Sequence, residues 1–216
     1  MTSGAASGLA AFDFDGTLVP RDSFVAFLRL VGGRRTVNAA LVRSWRAVAG
    51  ARSAPAWRDA VKSNLVRTVL AGRDQEEIGP LTESYASTVA AQVTPPMRAL
   101  LARHREAGHS TVIVSASLEI YLEPAATVLE IDAVLGTRLE VGADGKFTGR
   151  LEGANCRGVE KARRLAQWMS ERGLDPDLVP LWAYGDSAGD RQMLELARFA
   201  TKVRRGRPVG RPLPFG

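Results

Sequence analysis

The sequence predicts an α/β protein in which a doubly wound parallel sheet is interrupted by a helical insertion. Two observations lead to this prediction. After residue 95, strand-like runs alternate with helix-like segments, as expected for a parallel sheet with helices on both faces. Between residues 18 and 94, four stretches have helical spacing and few runs resemble a strand. We therefore expect a sheet domain made of residues 1–17 and 95–216, with a helical cap at 18–94.

The predicted elements follow one another in a regular order. Strand-like runs, which are short and apolar, cover residues 9–14, 110–117, 132–137, 179–186 and 199–203. Segments with helical spacing, several of which end at a glycine, cover residues 22–31, 35–49, 55–70, 80–92, 97–107, 119–130, 158–172 and 189–197. Asp144 and Gly145 predict a hairpin turn after the third strand. Pro80 is expected in the first turn of the fourth helix.

The composition is that of an ordinary globular protein. The 216 residues are 45% hydrophobic, with a mean hydropathy of -0.07. No apolar run reaches the roughly 18 residues of a transmembrane helix, and the first ten residues lack the pattern of a secretion signal. The single cysteine, Cys156, excludes an internal disulfide and fits a reducing compartment. We therefore expect a cytoplasmic protein.

The net charge of +6 leaves two interpretations open. Of the 29 basic residues, 25 are arginine, and such a balance can serve binding to nucleic acid or to an anionic membrane. Because the arginines are spread over the predicted helices, a solvated basic surface is the simpler interpretation. No nucleic-acid partner is therefore expected. The densest basic cluster is the tail at 202–216, whose proline and glycine content indicates an irregular segment.

Polar residues follow three of the predicted strands. Asp13 and Asp15 end the first strand in LAAFDFDGT, and Ser115 ends the second in STVIVSAS. Asp186 and Asp190 follow the fourth strand in YGDSAGD. Ligands of open α/β sheets bind beyond the carboxyl ends of the strands. If these three strands are neighbours, the five side chains meet at one edge of the sheet.

Carboxylates gathered in this way predict a bound cation. They repel one another, and a divalent ion removes the conflict. Small, octahedral Mg²⁺ suits a few carboxylates, a backbone carbonyl, waters and a substrate phosphate. Mg²⁺ is therefore the expected cofactor, with a phosphoryl group beside it. Asp13 and Asp15 are expected to point the same way, since side chains alternate along a strand.

Four further residues are candidates for phosphate chemistry. Lys161 begins a predicted helix, and its ammonium group can screen the repulsion between an aspartate and a phosphate. The Ser115 hydroxyl and the backbone N–H groups after it, at Ala116, can hold phosphate oxygens. Thr17 can hydrogen-bond the loop or the carboxylates. Structural interpretations stay open as well: Lys161 as a surface lysine, Ser115 as a serine that begins a helix cap, and Asp190 as an aspartate that orients its loop.

Together these motifs resemble those of the haloacid dehalogenase superfamily of aspartyl-phosphate phosphohydrolases. DFDGTLV is similar to its first motif, VIVSAS to its second, the region of Lys161 to its third and YGDSAGD to its fourth. The helical block after the first motif resembles the family's C1 cap. SASLEIYLEP and NCRGVEKARRL resemble the phosphoserine-phosphatase-like IB subfamily. The resemblance spans essentially the whole chain and implies a Rossmann-like core with an inserted C1 cap.

The resemblance also implies roles for the residues in contact with substrate. Asp13 would be the nucleophile that forms an aspartyl phosphate. Asp15 would be the general acid toward the leaving oxygen and then the general base for water. Thr17, Ser115 and Ala116 would hold the phosphoryl group.

For the metal site, the resemblance implies a set of oxygen ligands. Mg²⁺ would be bound by the Asp13 carboxylate, the Asp15 backbone carbonyl and Asp186. Asp190 would support the site as a residue behind the ligands or through water. Lys161 would neutralise the phosphoryl group.

The predicted function is hydrolysis of a small phosphorylated metabolite, a phosphomonoester, with the cap closing over the substrate. A phosphotransferase that uses an acceptor other than water stays an alternative, as does a non-catalytic module that binds anions through the basic tail. An acidic cap residue that would hold the amino group of a phosphoserine is not evident in the sequence. The substrate is therefore not predicted further, nor is the oligomeric state.

Other residues are expected to be structural. His104 and His109 are expected at the surface or in a helix cap, because neither follows a strand. Trp45 and Trp57 are expected to pack within the helical insertion.

Overall fold

A six-stranded, mostly parallel sheet forms the centre of the structure, a computed structural model that describes residues 8–48, 54–175 and 177–210. The strands are β1 (Leu9–Phe12), β2 (Ser110–Leu118), β3 (Ala133–Val141), β4 (Phe147–Glu152), β5 (Leu181–Gly185) and β6 (Phe199–Lys202). Their order across the sheet is β4-β3-β2-β1-β5-β6. Neighbouring strands are parallel except β3 and β4, which form the predicted hairpin at one edge.

Eight α-helices accompany this sheet in the described residues. They are α1 (Phe24–Gly32), α2 (Arg34–Val48), α3 (Ala54–Leu70), α4 (Gln75–Ala90), α5 (Pro95–Glu106), α6 (Glu119–Leu129), α7 (Val159–Glu171) and α8 (Arg191–Leu196). Helices α1 to α4 form the insertion between β1 and α5. The predicted fold class, a Rossmann-like sheet with an inserted helical segment, is confirmed. Residues 1–7, 49–53 and 211–216 belong to the predicted core and cap but lie outside the described residues.

The first strand lies at the middle of the sheet and is buried on both faces. It pairs in parallel with β2 and β5, and all four of its residues are fully buried. Ala10 and Phe12 belong to one hydrophobic core, with residues of α5 and α6. Leu9 and Ala11 belong to a second core on the opposite face, with residues of α7 and α8. Burial on both faces explains why this strand is a continuous apolar run without polar alternation.

The insertion shares its hydrophobic core with the sheet. Phe27 and Leu28 of α1 are fully buried in the same cluster as Phe12 and Tyr121. Helix α4 packs on α6, and α3 packs on β4. The division into a sheet domain and a cap at 18–94 stays a prediction, since one core runs from the insertion to the sheet.

Helix α4 begins five residues earlier than the sequence pattern predicts. Asp74 is its N-cap, with a side chain that accepts a hydrogen bond from Glu76 N. Pro80 therefore lies inside the helix and not in its first turn. The sequence pattern does not predict the first turns of α4, because only Ile78 among residues 75–79 is a buried apolar residue.

None of the helices in residues 8–48, 54–175 and 177–210 combines the length and apolar character that crossing a bilayer requires.

The two histidines are buried, so of the two expected locations, the surface and a helix cap, the surface was wrong. His104 is 0% exposed and lies on the face of α5 that also carries Met97 and Leu101. Its Nδ1 lies 2.8 Å from His109 Nδ1, and its Nε2 lies 2.8 Å from the Tyr184 hydroxyl. The spacing of positions 97, 101 and 104 is the helical signal that could have revealed this. Burial, with smaller contributions from neighbouring cationic groups, lowers the pKa of His104 to about 3.

We expect this histidine to make folding stability depend on pH. In the unfolded chain His104 takes up a proton below about pH 6.5, whereas in the folded chain it stays neutral down to about pH 3. Its contribution to stability is therefore present above pH 6.5 and is lost progressively as the pH falls. Urea denaturation should show that wild type loses up to about 2 kcal/mol more than His104→Gln between about pH 7 and pH 5. Equal losses in both proteins would contradict the assignment.

Candidate functional site

A cavity of about 420 Å³ opens where β1, β2 and β5 end. Because these strands are neighbours in the sheet, the segments that follow them meet there. The side nearest the sheet is lined by six of the predicted site residues: Asp13, Asp15, Ser115, Ala116, Lys161 and Asp190. The opposite side is formed by residues of α1, α2 and α3. The remaining predicted residues, Thr17 and Asp186, both lie beside Asp13.

Asp13 is the first residue after β1 and is almost wholly buried. Its backbone N–H donates to Tyr184 O over 2.9 Å, which extends the pairing of β1 with β5 by one residue. Its carboxylate accepts hydrogen bonds from Lys161 Nζ at Oδ1 (2.6 Å) and from Thr17 Oγ1 at Oδ2 (3.1 Å). Thr17 is fully buried and orients this carboxylate. Its contact with a phosphoryl group stays a prediction.

Lys161 lies near the start of α7 and is only 2% exposed, so it is not a surface lysine. Its Nζ forms ion pairs with Asp13 at 2.6 Å and with Asp190 at 2.5 Å. Burial alone would lower the pKa of Lys161, but the attraction of the two carboxylates is stronger and raises it. The ammonium group therefore keeps its charge inside the protein.

Asp190 holds Lys161 from the opposite side. It ends the short 3₁₀ turn Ala188–Asp190 after β5, and its Oδ2 accepts hydrogen bonds from Ser187 N (2.9 Å) and Ser187 Oγ (2.8 Å). Burial would raise the pKa of Asp190, but the Lys161 ammonium lowers it below its usual range. Lys161 and Ser187 thus donate hydrogen bonds to the two carboxylate oxygens of Asp190. This fits the supporting role that the family resemblance implies.

Three carboxyl groups form a cluster that suits a metal ion. Asp13, Asp186 and Asp190 each offer an oxygen, and these oxygens lie within 4.8 Å of one another. Gly16 makes room for the cluster, because a Cβ there would lie 2.1 Å from Asp186 Oδ2, and its φ is +86°. Burial raises the pKa of Asp13 and Asp186; repulsion from Asp190 adds to this, and the attraction of Lys161 opposes it. A divalent cation would relieve the repulsion, so these residues fit a metal site.

Asp15 depends on the helical insertion for its position. The first strand ends at Phe12, so alternation along a strand does not account for the orientation of Asp15. Ser23 N donates to its Oδ1 over 2.9 Å, and Ser117 Oγ donates to its Oδ2 over 2.6 Å. Burial, followed by repulsion from Asp22, raises the pKa of Asp15 to about 6. A carboxyl group in this range can both donate and accept a proton near neutral pH.

Ser115 and Ala116 lie near the end of β2. Ser115 is buried, and its Oγ accepts a hydrogen bond from Ser117 N over 3.1 Å. The Ala116 carbonyl accepts from Thr137 Oγ1 over 2.8 Å and also from Lys62 Nζ. The predicted donors to a phosphoryl group are therefore the Ser115 hydroxyl and the Ala116 N–H.

Lys62 of α3 is a cavity residue that the sequence analysis missed. Besides Ala116 O, its Nζ contacts Asn155 Oδ1 at 2.7 Å and Thr137 Oγ1 at 3.2 Å. Burial is the main cause that lowers the pKa of Lys62 to about 8. The side chain joins the insertion to the loop that precedes α7. Its position three residues before Leu65, on the buried face of α3, was the available signal.

Two tryptophans expected to pack within the insertion also line the cavity. Trp45 of α2 and Trp57 of α3 are in contact, with ring centroids 5.0 Å apart. Trp45 is 59% exposed, so the expectation of simple packing was incomplete. The sequence offered no signal for this, because the two helices are brought together only by the fold.

Comparisons with known proteins identify relatives of this chain. A family model for haloacid dehalogenase-like hydrolases matches residues 10–195. Protein CicA from Caulobacter vibrioides is 35% identical over 203 residues, which are 93% of this chain and 88% of that protein. A histidinol-phosphatase from Neisseria meningitidis serogroup C is 29% identical and covers 87% of this chain and 86% of its own. A substrate-bound phosphoserine phosphatase structure is similar in fold, with a TM-score of 0.61 at 22% identity, covering 90% of this chain and 85% of its own.

Replacing Lys161 by Met should destabilise the protein strongly, because it leaves two buried carboxylates without their ammonium partner. Urea denaturation in the presence of EDTA should show a loss of about 3–5 kcal/mol in the free energy of unfolding. The control is Lys146→Met in the exposed hairpin turn, with a loss below about 0.5 kcal/mol.

Adding Asp190→Asn to Lys161→Met should restore part of the lost stability, since it removes one of the two facing charges. If the double variant loses as much free energy of unfolding as the two single variants together, the loss in Lys161→Met does not arise from the broken ion pairs.

Proposed function

This chain belongs to the haloacid dehalogenase-like hydrolase family, and from that membership we propose that it is a Mg²⁺-dependent phosphomonoesterase acting on a small phosphorylated metabolite. The family predicted from the sequence is confirmed, and so is the predicted class of enzyme, a phosphatase. One observation carries the finer proposal: Asp13, Lys161 and Asp190 come from three distant segments and meet at the base of one cavity, with Asp186 beside them.

The residues that would hold Mg²⁺ are Asp13 and Asp186, through their carboxylates, and Asp15, through its backbone carbonyl. This set of hard oxygen donors fits Mg²⁺. When bound, the ion would offset the negative charge of the phosphoryl group and of the attacking carboxylate. Asp190 would support the site by keeping Lys161 in place.

Asp13 would attack the phosphorus atom. Thr17 and Lys161 already fix the orientation of its carboxylate, so little reorganisation is needed. Attack forms a bond between a carboxylate oxygen and phosphorus, and it breaks the bond from phosphorus to the alcohol oxygen. The Lys161 ammonium would offset the charge of the aspartyl phosphate, while the Ser115 hydroxyl and the Ala116 N–H hold its oxygens.

Asp15 would move the protons in both steps. In its protonated form it would donate to the leaving alcohol oxygen. It would then accept a proton from the water that attacks phosphorus, which releases inorganic phosphate and restores Asp13. The hydrogen bonds from Ser23 and Ser117 support this role, because they orient the carboxyl group, and its pKa of about 6 suits both transfers.

The helices of the insertion would act as the cap, at 18–94, over a core made of residues 1–17 and 95–216. Ser23 and Lys62 support this proposal, because both reach from the insertion to groups of the sheet. With the helices in place, bulk water is kept from the reacting groups, and the cap surface selects the alcohol part of the substrate.

Asp13→Asn should abolish hydrolysis while leaving the fold intact, because the amide is a poor nucleophile of nearly the same size. With an aryl phosphate and Mg²⁺, we expect turnover to fall by at least about a thousandfold. Circular dichroism checks the fold, and Asp144→Asn in the hairpin turn is the matched control. Turnover near the wild-type level in Asp13→Asn would refute the covalent mechanism.

Inorganic phosphate and aryl alcohol should be released in equal amounts, because water is the proposed acceptor. The two products are measured in parallel, with and without added glycerol. A deficit of phosphate relative to alcohol would indicate the alternative, transfer to a second acceptor.

Mg²⁺ should stabilise the wild-type protein against thermal unfolding, by about 2.7 kcal/mol at one hundred times the dissociation constant. Gly16→Ala should lose this stabilisation, because the new Cβ would lie 2.1 Å from Asp186 Oδ2 and would displace that carboxylate. Gly145→Ala is the control: its φ of +78° imposes similar backbone strain, but the space around it is open. An equal effect of Mg²⁺ on both variants would argue against a site at Asp186.

A further inference from the structure

We propose that the alcohol part of the substrate is apolar, an alkyl or aryl group that lies against the helical side of the cavity. This inference rests on the proposed function, because it places the phosphoryl group at Asp13. It concerns the other half of the same cavity, which the chemistry of phosphoryl transfer does not use.

Six apolar residues on the helical side of the cavity form a surface that we call the apolar wall. Its residues come from α1, α2 and α3: Phe24, Leu41, Trp45, Trp57, Val61 and Leu65. Trp45 is the most exposed of them, and its indole ring packs on that of Trp57. Tryptophan side chains left partly open inside a cavity favour an apolar ligand, since covering them removes apolar surface from water.

The polar groups near the wall are largely occupied by the protein. The Lys62 ammonium already contacts three neutral acceptors, and Ser23 and Ser117 hold the Asp15 carboxyl group. Asp22 accepts a hydrogen bond from Val25 N over 2.9 Å. One oxygen of the exposed Asp22 carboxylate is therefore already used by the first turn of α1.

Two arginine side chains border the apolar wall or the opposite side of the cavity. Arg58 lines the cavity but is exposed, with its guanidinium carbon 5.9 Å from the centre of the Trp57 ring. Arg157 lies on the sheet side, next to Gly189. The wall can thus cover a hydrocarbon group without leaving a buried polar group unpaired.

The size of the cavity fits a small ester. Its volume of about 420 Å³ is at the lower end of the range for small-molecule sites. One phosphoryl group and a hydrocarbon chain of several carbons fit within such a space, whereas a much larger molecule would extend into solvent. The favourable chain length is therefore limited, and the gain should level off once the wall is covered.

The test measures kcat/KM for a series of n-alkyl phosphates from ethyl to hexyl. Each added methylene group should raise kcat/KM about fourfold until the wall is covered. Phosphoserine, glycerol phosphate and histidinol phosphate serve as polar comparisons. The inference is overturned if kcat/KM does not rise with chain length, or if a polar ester exceeds hexyl phosphate.

Substitutions test whether the apolar wall causes the dependence of kcat/KM on chain length. Trp45→Ala removes an exposed side chain and should fold, and it should lower the ratio of kcat/KM for hexyl over ethyl phosphate at least fivefold. Val128→Ala is the control, because Val128 is similarly exposed on α6, outside the cavity. An unchanged ratio in Trp45→Ala would place the apolar contact elsewhere and refute the proposed wall.

Binding of alkylphosphonates, which cannot be hydrolysed at the carbon–phosphorus bond, separates this inference from the proposed function. Calorimetry with ethyl- to hexylphosphonate should show dissociation constants that fall with chain length, also in Asp13→Asn. If affinity rises with chain length but no ester is hydrolysed, the proposed function fails and the apolar wall stands. If esters are hydrolysed but affinity is independent of chain length, the inference fails and the proposed function stands.

Discussion

One buried ammonium group between two buried carboxylates is the interaction on which the site depends. Lys161 satisfies Asp13 on one side and Asp190 on the other, and each of these charges would be costly to bury without its partner. Two carboxylates face a single ammonium group, and the Asp186 carboxyl group lies within 4.8 Å of both, so negative charge exceeds positive charge there. That excess is what makes the position suitable for a cation, and a cation is in turn what would let a phosphate dianion approach an aspartate.

The order of the strands explains why these groups meet at all. Because β1 lies between β2 and β5, the residues after all three strands share one edge of the sheet. Residues of the insertion form the side of the site that lies opposite the sheet. Ser23 holds the Asp15 carboxyl group, and Lys62 is tied to Ala116 O near the end of β2. In the proposed mechanism, Asp15 transfers the protons and the insertion orients it, which would link catalysis to the packing of the helices.

The cavity is divided into a charged base and an apolar wall. The base is built from the segments after the strands, which carry the family motifs, and its residues could be predicted individually from the sequence. The wall is built from helices α1 to α3, whose residues carry no motif. Trp45 and Trp57 illustrate the difference, since each is an ordinary apolar position of a helix until the two helices pack together. In the proposed function, chemistry and substrate selection therefore belong to separate parts of the chain.

The sequence by itself determined the fold class, the run of elements and the identity of the charged residues at the base, because strand and helix periodicity and short motifs are local properties. It failed where a residue's environment comes from distant segments. His104 is buried through contacts with His109 and Tyr184, and Lys62 reaches across to the sheet at Ala116 and Thr137. Only the tertiary structure decided which polar side chains are buried and which apolar ones line a cavity, because burial and partners arise from packing between elements far apart in the chain.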